Sequence, residues 1–177
     1  MDSPNRKNRK SMRAEWWDYG WNGAYFVTIC TKEMQHFFGE IKDGKMILSN
    51  VGVIVDVLWH QIPHHQPYVE LAEFVVMPNH IHGILILDKP IEIVEKLEND
   101  DRMPFEKRRE GQGKNTLSSI LGGYKSAVSK HVNRLGLESE WQYRFHDHII
   151  QNEKSYERIE KYILTNAENW KDDKFFS

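Results

Sequence analysis

From Val69 to Leu87 the chain reads VELAEFVVMPNHIHGILIL, two apolar and β-branched runs on either side of a Met77-Pro78-Asn79 turn. Such residues favour strands, and strands joined by so short a turn run antiparallel. Gly83 interrupts the second run, Ile81 to Leu87, and predicts a close backbone approach there instead of side-chain packing. Gly23 to Thr31 reads as another strand. His36 to Lys42 and Lys45 to Leu48 flank Asp43-Gly44, a dipeptide that favours a tight hairpin turn.

Helical spacing fills the intervals. Asn50 is the predicted N-cap of a helix carrying Val51, Ile54, Val55, Leu58 and Ile62, which stops near Pro63, and His64 to Pro67 reads as a loop. Thr116 to Leu135 places Leu117, Ile120, Leu121, Tyr124, Ala127, Val128 and Val132 on one face and ends before Gly136. Asn152 can cap a last helix from Glu153 to about Trp170, with Tyr156, Ile159, Ile163, Ala167 and Trp170 on its apolar face. Trp141 to Ile150 is aromatic and follows neither period. Single helices between hairpins predict an α+β fold, an antiparallel sheet with helices packed on one face.

A chain of 177 residues, 40% apolar and 28% charged, suits one soluble domain. No apolar run reaches the roughly 20 residues of a membrane span. The N-terminus has no apolar core of a secretory signal, and Cys30 is the sole cysteine, which fits a reducing cytoplasm. The expected organisation is a basic arm over 1–22, one catalytic domain over 23–172, and a charged, flexible loop within it at 88–114, helical in part from Ile91 to Leu97. Net charge is −2, so any nucleic-acid surface must be local. Arg6, Lys7, Arg9, Lys10 and Arg13 make the arm either a solvated tail or a contact for phosphates.

The sharpest chemical feature is His80-Ile81-His82. Positions i and i+2 of a strand share a face, so the two imidazoles project together while Ile81 enters the core. This spacing fits a metal or phosphate site, and equally two partly exposed histidines at a strand end. A metal needs a further ligand, and Tyr162 and Asn166, one helical turn apart, can present a phenol and an amide oxygen to one point. Tyr124, with His131 two turns on, is a rival nucleophile, although its apolar face favours packing. His64 and His65 sit in a Pro-flanked loop, His36 and His60 carry no pattern, and Glu106 to Arg109 is a charge run suited to a solvated loop.

The strand VVMPNHIHGILIL, the segment WQYRFHDHIIQNEKSYERIEKYILTNAENW and the opening RKSMR…GAYFVTICT together resemble the REP-associated tyrosine transposases, relatives of the single-tyrosine transposases of the insertion-sequence-200 type. The likeness runs from about Arg9 to Trp170. It implies a ferredoxin-like, RRM-like sheet, with His80 and His82 as metal-binding histidines, Tyr162 as the nucleophile joined to DNA, and Asn166 as the third ligand. His148 falls in a stretch that the family keeps near DNA or the active site. Ala167 stands where the family usually has proline after the asparagine. The implied cofactor is Mg²⁺ or Mn²⁺, and Mn²⁺ tolerates imidazole better.

The implied partner is single-stranded DNA carrying a hairpin or palindromic repeat, cleaved and rejoined through a 5′-phosphotyrosine by a monomer or homodimer. The basic arm and His148 are the candidate DNA contacts. Two other classes fit the same residues: a nuclease that activates water on the metal, and a non-catalytic DNA-binding remnant.

Overall fold

Residues 22–92 and 116–176 are described by a computed structural model. Four strands alternate with helices in the order β1 (Gly23–Cys30), α1 (Asn50–His60), β4 (Val69–Met77), β5 (His80–Leu87), α3 (Leu117–Arg134) and β6 (His146–Ile150). The sheet order is β4-β5-β1-β6, with every neighbouring pair antiparallel. This is the βαββαβ arrangement of ferredoxin-like folds.

Asp43 and Gly44 both take positive φ, 50° and 70°, and close the two-residue turn between β2 (Gly39–Lys42) and β3 (Lys45–Leu48). The stretch before β2 is not extended from His36 as the composition predicts. Lys32–Met34 turns first, with Glu33 and Met34 at positive φ. The N-cap of α1 is Ser49, not Asn50: its hydroxyl accepts from the Gly52 N–H at 3.0 Å and donates to the Phe37 carbonyl. Pro63 does not end helical structure, because at the start of the short α2 (Ile62–His65) its missing N–H is no loss; His64 and His65 are exposed on that turn.

The strand alternation divides the sheet into two unlike faces. Tyr25, Val27 and Ile29 of β1, with Ile81, Leu85 and Leu87 of β5, pack under α1 and α3 in the main core. Tyr124 belongs to this core, its hydroxyl donating to the Val55 carbonyl at 2.9 Å, so the rival nucleophile is a packing residue. What approaches Gly83 is a side chain, contrary to the expectation of backbone: a Cβ there would stand 2.4 Å from the Trp59 indole.

Helices on one face describes α1 and α3. A last helix, α4 (Glu153–Leu164), lies across the other face, where Ile159 and Ile163 bury against Ile84. Burying each such side chain contributes roughly 1.5–3 kcal/mol, which fastens α4 to the strand bearing the two histidines. Asn152 caps α4 as predicted, accepting from the Ser155 N–H at 2.9 Å. The helix ends at Leu164, not near Trp170, and turns through 165–169 into a short 3-10 segment, Trp170–Asp172. The basic arm and 93–114 of the charged loop lie outside the described residues; Ile91 and Glu92, at the start of the helix expected to Leu97, are helical. Among the described residues, no helix is long and apolar enough to cross a membrane.

Candidate metal centre

His80 and His82 open β5 on the face that α4 covers, and both are fully buried. Their Nε2 atoms stand 3.0 Å apart. Each ring is held from behind. Nδ1 of His80 lies 2.8 Å from the Asn79 side-chain oxygen, whose orientation is fixed because the same amide donates to the Phe175 carbonyl at 2.9 Å. A carboxamide oxygen only accepts, so Nδ1 of His80 carries the proton and Nε2 presents a lone pair. Nδ1 of His82 lies 2.8 Å from the Thr28 hydroxyl, which can accept or donate.

The end of α4 and the segment that follows it complete the group. Tyr162, in the last turn of α4, places its hydroxyl 3.1 Å from Nε2 of His82 and donates to the Asp173 carboxylate at 2.6 Å. Asn166, just past the helix end, donates to the same carboxylate oxygen at 2.8 Å, and the Phe175 N–H binds the other oxygen at 2.7 Å. His80, His82 and Asp173 bring one ligand atom each within 4.8 Å of one another. Phe175 lies across the imidazoles, its ring centroid 4.7 Å from His80 and 5.8 Å from His82.

Burial governs the electrostatics. It lowers the pKa of His80 to about 4, against the opposing charge of Asp173, and lowers His82 in the same sense, helped by the neighbouring His80. Both rings are therefore neutral at pH 7. Burial raises the Tyr162 phenol, and its hydrogen bond to Asp173 adds to the rise. For Asp173 burial works upward, but the hydrogen bonds from Tyr162, Phe175 and Asn166 outweigh it and hold the carboxylate below its ordinary value.

Three features fit a divalent cation. Two neutral imidazoles at 3.0 Å match the separation of about 3 Å between adjacent nitrogens bound about 2.1 Å from one octahedral ion. A carboxylate supplies the charge. The buried Asn166 side-chain oxygen has no hydrogen-bond partner, an expense that a nearby cation would relieve.

The structure thus joins four residues singled out from sequence, His80, His82, Tyr162 and Asn166, and adds Asp173, Thr28, Asn79 and Phe175. Asp173 lies one residue beyond the expected 23–172 domain. No motif marks it, and a lone carboxylate near Trp170 is indistinguishable in sequence from a solvated one. His148 is exposed on β6, in register with Phe26 and so on the face of the site; Phe26 itself lies 5.2 Å from the His82 ring and 6.2 Å from that of Tyr162. The basic residues Arg6, Lys7, Arg9, Lys10 and Arg13 lie outside the described residues.

A four-stranded antiparallel sheet with a buried histidine pair beneath a tyrosine helix defines the class, and its architecture is shared with a solved protein. The structure of a REP-associated tyrosine transposase bound to a REP hairpin matches over 93% of this chain and 74% of its own, with a TM-score of 0.58 and 20% identity, a likeness of fold. No protein-family model matches the chain. An uncharacterized protein of Haemophilus influenzae (strain ATCC 51907 / DSM 11121 / KW20 / Rd) is 34% identical over 175 residues, covering 96% of this chain and 93% of the relative, and the chain belongs to its family.

Proposed function

We propose that the protein is a metal-dependent transposase-like enzyme that cleaves and rejoins single-stranded DNA through Tyr162, acting in the cytoplasm on strands that carry a hairpin. The observation that carries this reading is the Tyr162 hydroxyl, 3.1 Å from Nε2 of His82 and 2.6 Å from Asp173. A phenol packed against a histidine pair and a carboxylate stands within reach of a phosphate held by a cation there.

His80, His82 and Asp173 would hold Mg²⁺ or Mn²⁺, with Asn166 either steering Asp173 or supplying its own oxygen. When bound, the ion polarises a non-bridging phosphate oxygen and offsets the charge of an in-line displacement. Tyr162, 36% exposed, is reachable from solvent, whereas the imidazoles beneath Phe175 are not, so phosphate entry requires the Asp173–Phe175 segment to shift. The Tyr162 oxygen attacks phosphorus as its proton is lost to solvent water, which the half-exposed phenol reaches. The bond from phosphorus to the 3′-oxygen breaks, that oxygen takes up a proton, and a 5′-phosphotyrosine remains. The linkage keeps the phosphodiester's free energy, so a second 3′-hydroxyl can reverse the step without ATP.

The test is a hairpin oligonucleotide with an unpaired tail, labelled at either end and incubated with Mn²⁺. A covalent protein–DNA adduct that vanishes in Tyr162→Phe is expected. Cleavage surviving Tyr162→Phe without an adduct would replace this reading with a water-activating nuclease. Binding with no cleavage at any metal concentration would leave a DNA-binding remnant.

A further inference from the structure

The edge of the sheet beside the metal centre carries an irregularity. Thr28 pairs with His146 in β6, and Thr31 forms an isolated bridge with Trp141. Between these pairings, two residues of the first chain, Ile29 and Cys30, face four of the second, Gln142 to Phe145. The surplus is extruded. Trp141 and Phe145 pack into the main core on either side, while Tyr143 is 94% exposed and Arg144 is exposed beside it. Bulges of this kind redirect side chains and concentrate near functional sites.

The bulge is braced from below. Half-buried Lys125 of α3 donates to the Gln142 carbonyl at 2.7 Å and approaches that of Tyr143 at 3.4 Å, with its ammonium over the Trp141 ring. The Gln142 N–H binds the Cys30 carbonyl at 2.9 Å. The half-buried Lys125 therefore braces a backbone whose only exposed large apolar side chain among the bulge residues is Tyr143.

Its position points to a ligand. Cys30 is in register with His80, and Thr28 with both His82 and His146. Two strand spacings, about 10 Å, thus separate the bulge backbone from that of the histidines. The His146 ring lies 6.3 Å from Phe175, at the cover of the site.

We infer that Tyr143 and Arg144 form a subsite for an unpaired nucleotide of the DNA strand, the phenol ring stacking on the base and the guanidinium engaging the adjoining phosphate. The inference rests on the reading of the site as a DNA-processing centre and names how the strand is held beside it. Aromatic rings accept any base face, and Arg adds charge and a planar partner, the combination by which proteins hold single strands. A subsite two strand spacings from His80 fixes which phosphodiester reaches Tyr162.

The test measures binding with the full-length chain in EDTA, so that no chemistry intervenes. The probe is a hairpin oligonucleotide whose unpaired tail carries 2-aminopurine at one position after another. Wild-type protein should quench one tail position selectively. Tyr143→Ala should abolish that quench and weaken binding about 5- to 150-fold, while Tyr143→Trp retains both. An abasic residue at the quenched position should bring wild type and Tyr143→Ala to the same affinity. Arg144→Gln should lower the salt dependence of binding by about one phosphate contact. Equal affinity and equal quench in Tyr143→Ala overturn the subsite, and if the Tyr162 adduct still forms, the reading of the site stands without it. Failure of wild-type protein to bind the tailed hairpin overturns both.

Discussion

The Thr28 hydroxyl lies 2.8 Å from Nδ1 of His82 and has no fixed polarity, which lets one imidazole serve two states of the site. When it accepts from Nδ1–H, Nε2 of His82 is left bare and faces the bare Nε2 of His80 for a cation. When it donates to Nδ1, the proton sits on Nε2 and bridges toward His80 Nε2 and the Tyr162 oxygen, 3.0 and 3.1 Å away. Thr28→Val keeps the shape and removes the oxygen, leaving a buried Nδ1–H without a partner in the metal-bound tautomer. Mn²⁺ affinity, followed by calorimetry, should fall about 10- to 100-fold. An unchanged affinity would mean that Thr28 plays no part in setting the tautomer.

Asp173 and Asn166 are the two candidates for a third metal ligand, and paired substitutions separate them. Asp173→Asn preserves size but removes the charge and one of the two acceptor oxygens, so either Tyr162 and Asn166 or the Phe175 N–H loses its acceptor. Mn²⁺ binding should weaken more than tenfold. Asn166→Ala removes the donor behind the carboxylate together with an uncharged oxygen, and should weaken binding by less. The reverse ranking would make Asn166 the ligand, as the family resemblance implies.

The histidine pair was legible because strand periodicity is local: alternate residues share a face whatever else the fold does. The hairpin turn at Asp43-Gly44 and the cap at Asn152 are local in the same way. Asp173 was not legible, because its role depends on where α4 stops. The helical period predicts continuation to Trp170, and Ala167 gives no local signal to end it. The turn after Leu164 instead folds the chain back over the histidines. Nor does any local pattern reveal the bulge at Tyr143, since an extrusion is defined by the register of the partner strand.

Buried neutral imidazoles make the metal-free protein sensitive to acid. In the unfolded chain His80 titrates near 6.5, and burial brings it to about 4 in the fold. Between these values the unfolded chain binds a proton that the folded one refuses. Stability is therefore fully present above pH 6.5 and declines as pH falls toward 4, with His82 shifted in the same direction. Urea unfolding in EDTA should show a loss on the order of a few kcal/mol across that window. Asp173, held below its ordinary value, adds its own loss only at lower pH. His80→Asn should flatten the decline between pH 6.5 and 4. A variant that keeps the full wild-type slope would place the sensitivity elsewhere.

Gly83 ties the core to the site from the opposite face of β5. A Cβ at this position would stand 2.4 Å from Cζ2 and 2.9 Å from Cη2 of Trp59, and 3.2 Å from Phe74. Trp59 is fully buried and stacked on Phe74 with ring centroids 4.5 Å apart, so it has no room to withdraw. Gly83→Ala should destabilise the fold by about 1–3 kcal/mol in urea titration. Trp59→Phe in the same chain should recover part of that loss, because the shorter ring vacates the Cβ position. Since Gly83 directly follows His82, strain there pushes the imidazole out of line as well, and Mn²⁺ affinity should fall with stability in Gly83→Ala. Loss of stability with intact metal affinity would show that Thr28 and Asn79 alone hold the histidines in place.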